Sequence, residues 1–147
     1  MTLANIFNQS NDLTYGDYKL ALLTNILIGL IALEHVGFLI LEMFLWTKPI
    51  GMKIFNLDPE FAAKSASLAA NQGLYNGFLA AGLFWSLMPS TASYSYYLKL
   101  FFLLCVLIAG LYGWYSVGKT ILFIQASPAL IALLLLIGAN LTSGGQN

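Results

Sequence analysis

The sequence predicts an all-α integral membrane protein, a four-helix bundle with both its N and C termini on the outer side of the membrane. Three observations carry that reading. The chain of 147 residues is 59% hydrophobic and 8% charged, with a mean hydropathy of +0.79. Soluble domains average about 25% charged residues, so these few charges cannot cover a water-soluble globule. Four apolar runs, at about 20–46, 67–87, 96–117 and 121–141, match the roughly 20 residues that a bilayer core demands of a helix. The lysines fall unevenly along them. Lys48, Lys53, Lys64 and Lys119 lie in the first and third connections, and only Lys19 and Lys99 on the opposite side. Basic loops favour the cytoplasmic face, which places those connections inside and the termini outside.

Residues 1–18 are polar, with two acids and no basic residue, and form an N-terminal tail; 19–147 form a single transmembrane domain. The first apolar run is too long for the core of a cleaved signal peptide and lacks a small-residue cleavage site. In the connection that follows, Lys48-Pro49-Ile50-Gly51 has Pro and Gly where a tight turn takes them. Asp58-Pro59-Glu60 then reads as N-cap, first-turn Pro and first-turn acid, so the second helix starts outside the bilayer and continues into it. Pro89-Ser90-Thr91 ends that helix. Pro128, inside the fourth run, removes one helical hydrogen bond and predicts a kink.

Composition also excludes functions. The formal net charge is zero and arginine is absent, so no electrostatic case for nucleic acid exists. The single cysteine, Cys105, sits in an apolar run and allows no internal disulfide. Residues 113–120, GWYSVGKT, fit the phosphate-loop pattern G-x-x-x-x-G-K-[ST] at each fixed position. A phosphate loop needs a preceding strand, whereas LKLFFLLCVLIAGLY precedes Gly113 with the length and composition of a membrane helix. No nucleotide is expected. Trp114 and Tyr115 instead mark a membrane interface, and Lys119 anchors the topology.

Polar residues inside the apolar runs are the candidates for function. A charged side chain at a membrane-helix centre costs about 2.5–3.5 kcal/mol on insertion scales. The first run nevertheless carries Glu34, His35 and Glu42. His35 and Glu42, seven residues apart, lie within about 20° of one another on a helix, two turns apart; Glu34 points roughly 100° away. In the second run, Gln72 and Asn76 share one face, with Asn71 and Tyr75 to one side. Gly73 and Gly77 have the G-x-x-x-G spacing that lets helix backbones approach closely. Tyr112, Trp114 and Tyr115 suit an interfacial belt as well as a cavity wall. The amides suit interhelical hydrogen bonding as well as ligand binding, but ionised groups are a poor means of gaining stability by burial. One His and two carboxylates on one helix, with no E-x-x-H motif, are a thin ligand set, so no metal is expected.

The segments ALEHVGFLILEMFLW (32–46), PEFA (59–62) and LAANQGLYNGFLAAGLFW (68–85) resemble a family of small bacterial integral membrane proteins known as domain of unknown function 1304. The likeness covers roughly residues 22–140, and the polar start departs from the family pattern. The resemblance implies a four-helix, multi-pass protein of the bacterial cytoplasmic (inner) membrane, with His35, Glu42, Asn71, Gln72 and Asn76 as signature positions. It implies no activity.

These observations lead to an intramembrane Glu/His/amide site between helices 1 and 2. The expected site residues are Glu42, His35, Glu34, Gln72, Asn76, Asn71 and Tyr75, binding or transporting a small amphiphilic molecule in exchange for protons. No cofactor is expected. The expected partners are the lipid bilayer and a small amphiphilic ligand, lipid or quinone, with a second copy or a membrane complex as further candidates. Two alternatives stand beside this reading: an intramembrane enzyme acting on a lipophilic substrate, in which Glu42 and His35 move protons, and an accessory subunit of a larger complex.

Overall fold

The computed structural model describes residues 15–144; the expected polar tail lies outside them up to residue 14, and its last residues belong to the first helix. Long helices occupy all four apolar runs. They are α1 (Tyr15–Met43), α3 (Pro59–Ser86), α4 (Ser95–Ser116) and α5. The last begins with a helical turn at Lys119–Ile121, passes through a π-helical turn at Leu122–Ala126 and continues over Ser127–Gly144. A short α2 (Pro49–Phe55) lies between the first two. No strand occurs among the described residues.

Local chemistry explains most boundaries. Asp58 caps α3, its carboxylate Oδ1 accepting the backbone N–H of Phe61 at 2.9 Å, and Pro59 and Glu60 fill the first turn as expected. The expected tight turn at 48–51 is instead the start of α2. Proline fits the first position of a helix as well as it fits a turn, and Pro49 takes the helical role. Gly51 is buried there, where an added Cβ would lie 1.9 Å from the carbonyl oxygen of Leu45. Asn56 then ends α2 in the left-handed conformation (φ 51°, ψ 51°). Where the sequence predicts a kink at Pro128, α5 carries a π-helical turn just before the proline. The ladder widens just before the residue that lacks an N–H, and both the backbone N–H and the Oγ of Ser127 donate to the carbonyl of Leu122.

The long helices pack neighbour against neighbour in a closed circuit: α1 on α3, α3 on α4, α4 on α5, and α5 back on α1. The α1–α3 contact is the most extensive. Its register is antiparallel, with Gly29 near Leu87, Leu39 near Gly77 and Met43 near Gly73. Gly73 brings the two backbones together, since a Cβ there would lie 3.0 Å from the Met43 nitrogen and 3.1 Å from the Leu39 oxygen. This is the packing role that the G-x-x-x-G spacing predicts. Gly82 admits the Phe102 ring between α3 and α4, and Gly110 lies against Ala126 of α5.

Burial is uneven along the circuit. Ile28, Ile31, Leu83, Leu103, Val106 and Leu133 form a sealed apolar core in the half that holds the start of α1 and the end of α5. The same half carries the hydrogen bond from Lys99 Nζ to Asn25 Oδ1, 2.7 Å long. Outward positions carry large apolar side chains such as Leu22, Ile26, Leu30, Phe101 and Leu134. Among the described residues three helical stretches are long and apolar enough to cross a membrane: Tyr18–Met43, Ser95–Ser116 and Lys119–Thr142. Helix α3 is long enough at 28 residues, but its charged first turns and its Ser, Asn and Gln residues keep it less apolar.

The glycine contacts generate a paired prediction. Gly73→Val must push apart two backbones and is expected to lower stability by about 1–3 kcal/mol. Gly77→Ala, whose Cβ meets only the Leu39 side chain at 3.5 Å, is expected to be neutral or stabilising by up to about 1 kcal/mol. Thermal melting of both variants in one detergent checks the difference.

Candidate ligand-binding cavity

In the half away from the sealed core, the helices line a partly open cavity of about 630 Å³. That volume lies within the usual range of about 300–1,000 Å³ for small-molecule sites. The close approach of α1 and α3 fixes one wall. There Asn76 Nδ2 donates to Glu42 Oε2 at 2.7 Å, joining two helices whose residues are 34 apart in sequence. No second donor among the described residues reaches the Glu42 carboxylate, which has room for about four hydrogen bonds. Gln72 and Tyr75 complete the α3 side. Tyr112 and Ser116 come from α4, and Thr120 and Gln125 from α5. Apolar surface from Phe38, Leu41, Phe55 and Leu79 fills the rest.

The electrostatics of this wall are simple. Among the described residues Glu42 is the one charged side chain that lines the cavity, and no lysine does. The wall therefore offers a negative or proton-accepting point surrounded by amides and hydroxyls on an apolar background. Trp46 closes the adjoining connection, its Nε1 donating to Ser65 Oγ at 3.0 Å while its ring packs on Phe55.

The expected site residues separate into three groups. Glu42, Asn76, Gln72 and Tyr75 come together on the cavity wall. His35 lies two turns deeper on the same stripe of α1 and is wholly buried, its Nδ1 donating to the carbonyl of Ile31 at 2.8 Å. Glu34 and Asn71 do not line the cavity. Glu34 is half-buried at the side of α1, and Asn71 is exposed on the outside of α3. Among the described residues no group of three or more His, Cys, Asp or Glu side chains is placed to hold a metal ion.

Sequence reasoning missed Gln125, Thr120 and Ser116. Gln125 sits in the π-helical turn, and its Nε2 lies 3.4 Å from the Val106 carbonyl at the α4–α5 contact. Its signal was present, since a glutamine inside ILFIQASPAL is as unusual in an apolar run as Asn76 in the second. The GWYSVGKT segment contributes differently from its motif. Gly113–Ser116 is the last turn of α4, and Gly118 adopts φ 156° and ψ 169°, a region that glycine alone enters readily. Ser116 and Thr120 flank this turn at the mouth of the cavity.

The Glu42–Asn76 bond is expected to couple energetically. A double-mutant cycle with Glu42→Ala and Asn76→Ala, followed by unfolding in mixed micelles, should give a coupling of about 1 kcal/mol. Additive losses would show that the bond contributes nothing to holding α1 on α3.

With this geometry in hand, comparison with known proteins assigns the chain to a family. The family model described as protein of unknown function (DUF1304) matches residues 29–137. The uncharacterized protein YpaA of Lactococcus lactis subsp. lactis (strain IL1403) is 32% identical over 117 residues, covering 78% of this chain and 97% of that protein. No solved structure matches the chain. The matched segment runs from α1 into α5 and includes Glu42, Asn76 and Gln125, and the chain belongs to the DUF1304 family.

Proposed function

We propose that this protein crosses the bacterial cytoplasmic membrane four times as a helical bundle and binds a small amphiphilic cation in its cavity, exchanging it for protons at Glu42. The observation that carries this reading is the cavity wall, where one carboxylate, bonded to Asn76 at 2.7 Å, is the sole charge among the described residues amid apolar and amide surface. Such a carboxylate can hold a proton or pair with a ligand cation, but not both at once. That exclusion is the physical basis of exchange. The apolar wall accepts the body of the ligand while the carboxylate selects its head, and an anionic head would meet repulsion with no lysine to offset it.

Helix α3 fits a transmembrane role despite its lower apolarity because Asn76 and Gln72 meet Glu42 and the cavity rather than lipid. The cavity lies at the end bounded by the connections that carry Lys48, Lys53, Lys64 and Lys119. The excess of lysine there supports a cytoplasmic opening and outer termini.

Reconstitution tests the proposal. Proteoliposomes holding the wild-type protein are expected to accumulate ethidium, an amphiphilic cation, when a pH gradient is imposed. Glu42→Gln should abolish that flux while keeping the melting temperature close to wild type. Equal flux in Glu42→Gln and wild type would exclude the carboxylate as the exchange site.

A further inference from the structure

We propose that the cavity has a second subsite behind Phe38, where His35 Nε2 accepts a hydrogen bond from a hydroxyl at the far end of the bound amphiphile. This rests on the cavity reading above and narrows the ligand to a molecule with a cationic head and a distal hydroxyl.

Phe38 belongs to both regions. Its side chain lines the cavity, and its ring meets the His35 imidazole edge-on, with centroids 5.7 Å apart and planes at 81°. His35 itself is 0% exposed. Its Nδ1 lies 2.8 Å from the Ile31 carbonyl oxygen, which can only accept, so Nδ1 carries the N–H. In the neutral ring Nε2 then presents a lone pair. It stands farther from the α1 backbone than Nδ1 and is buried without a hydrogen-bond partner among the described residues. It is the one buried side-chain nitrogen or oxygen among the described residues left in that state.

An unmet buried acceptor costs about 1–3 kcal/mol. Leucine or phenylalanine would fill the same place in an apolar stripe at no such cost. Phe38 touches both the imidazole and the cavity, which supplies a reason for the histidine if a rotamer change of Phe38 joins the two. Glu42 and His35 are seven residues apart, about 10 Å along the helix axis. The ligand class follows: an extended apolar chain of about that length, with an ammonium at one end and a hydroxyl donor at the other.

His35 is the only histidine in the chain, so histidine labelled with nitrogen-15 reports on this ring alone. In nanodiscs, the amino alcohol of an eight-carbon chain with its groups at opposite ends (ω-amino-octanol) is expected to shift the Nε2 resonance of the wild type, and octylamine to leave it in place. The amino alcohol should bind about five-fold tighter than octylamine. His35→Phe should remove that preference without removing binding of either amine. Binding of the amino alcohol with Nε2 unmoved, or with equal affinity to octylamine, overturns the second subsite.

Reaction of His35 with diethyl pyrocarbonate, read by mass on its peptide, needs no amine. Phe38→Ala and the milder Phe38→Leu, each confirmed to melt cooperatively, are expected to react several-fold faster than wild type. A wild-type rate in both variants overturns the subsite whatever the amines do. Should neither amine bind, the cationic reading of Glu42 fails, and the subsite then stands only if octan-1-ol, which keeps the hydroxyl without the ammonium, shifts Nε2; an Nε2 resonance that octanol leaves in place overturns it.

Discussion

The close approach of α1 and α3 is the constraint on which the rest of the structure depends. A carboxylate in a long apolar helix is costly, and at Glu42 a donor from another helix offsets that cost. Asn76 is short, so the two backbones must come near each other. Gly73 makes that possible, one turn before Asn76, by leaving no Cβ between the chains. Trp46 and Ser65 extend the same contact into the connection. Packing and polar pairing are therefore one feature here, since the small residue permits the distance that the hydrogen bond requires.

From that contact the two halves of the molecule diverge. Toward the start of α1 and the end of α5, branched and bulky residues interdigitate, and Gly82 lets Phe102 fill space that a side chain would otherwise occupy. Toward the lysine-bearing connections, the interior positions hold amides, hydroxyls and aromatic rings that do not fill the space among them. The π-helical turn of α5 belongs to this second half. By admitting one extra residue before Pro128 it rotates the start of α5 and sets Gln125 on the wall facing α1 and α3. A strained or irregular helix turn beside a cavity is a common arrangement at functional sites, and here its chemical cause is the missing proline N–H.

His35 and Glu42 illustrate how position on one stripe leads to different environments. Both face inward on α1, two turns apart. Glu42 lies where the helices part and meets a donor and open space. His35 lies where they close, and turns one nitrogen to its own backbone while the other meets nothing. The ring of Phe38, one turn beyond His35, marks the boundary between the two regimes.

The sequence by itself determined the helical class, the four long helices within a few residues, the Asp58 cap, the His35–Glu42 stripe of α1 and the amide face of α3. These follow from local rules: apolar run length, capping chemistry and the 3.6-residue period. The G-x-x-x-G spacing pointed to a close helix contact, which the structure places at Gly73 and not at Gly77. What local rules could not decide was three-dimensional. Pro49 could begin a helix or a turn, and only the neighbouring Leu45 carbonyl and the buried Gly51 select the helix. Glu34 and Asn71 were as polar as their neighbours in sequence, yet fall on faces that the α1–α3 crossing turns away from the cavity. Gln125, far along the chain, reaches the same space because α5 folds back between α4 and α1. Helical period fixes which residues share a face, but only the packing of helices decides what that face meets.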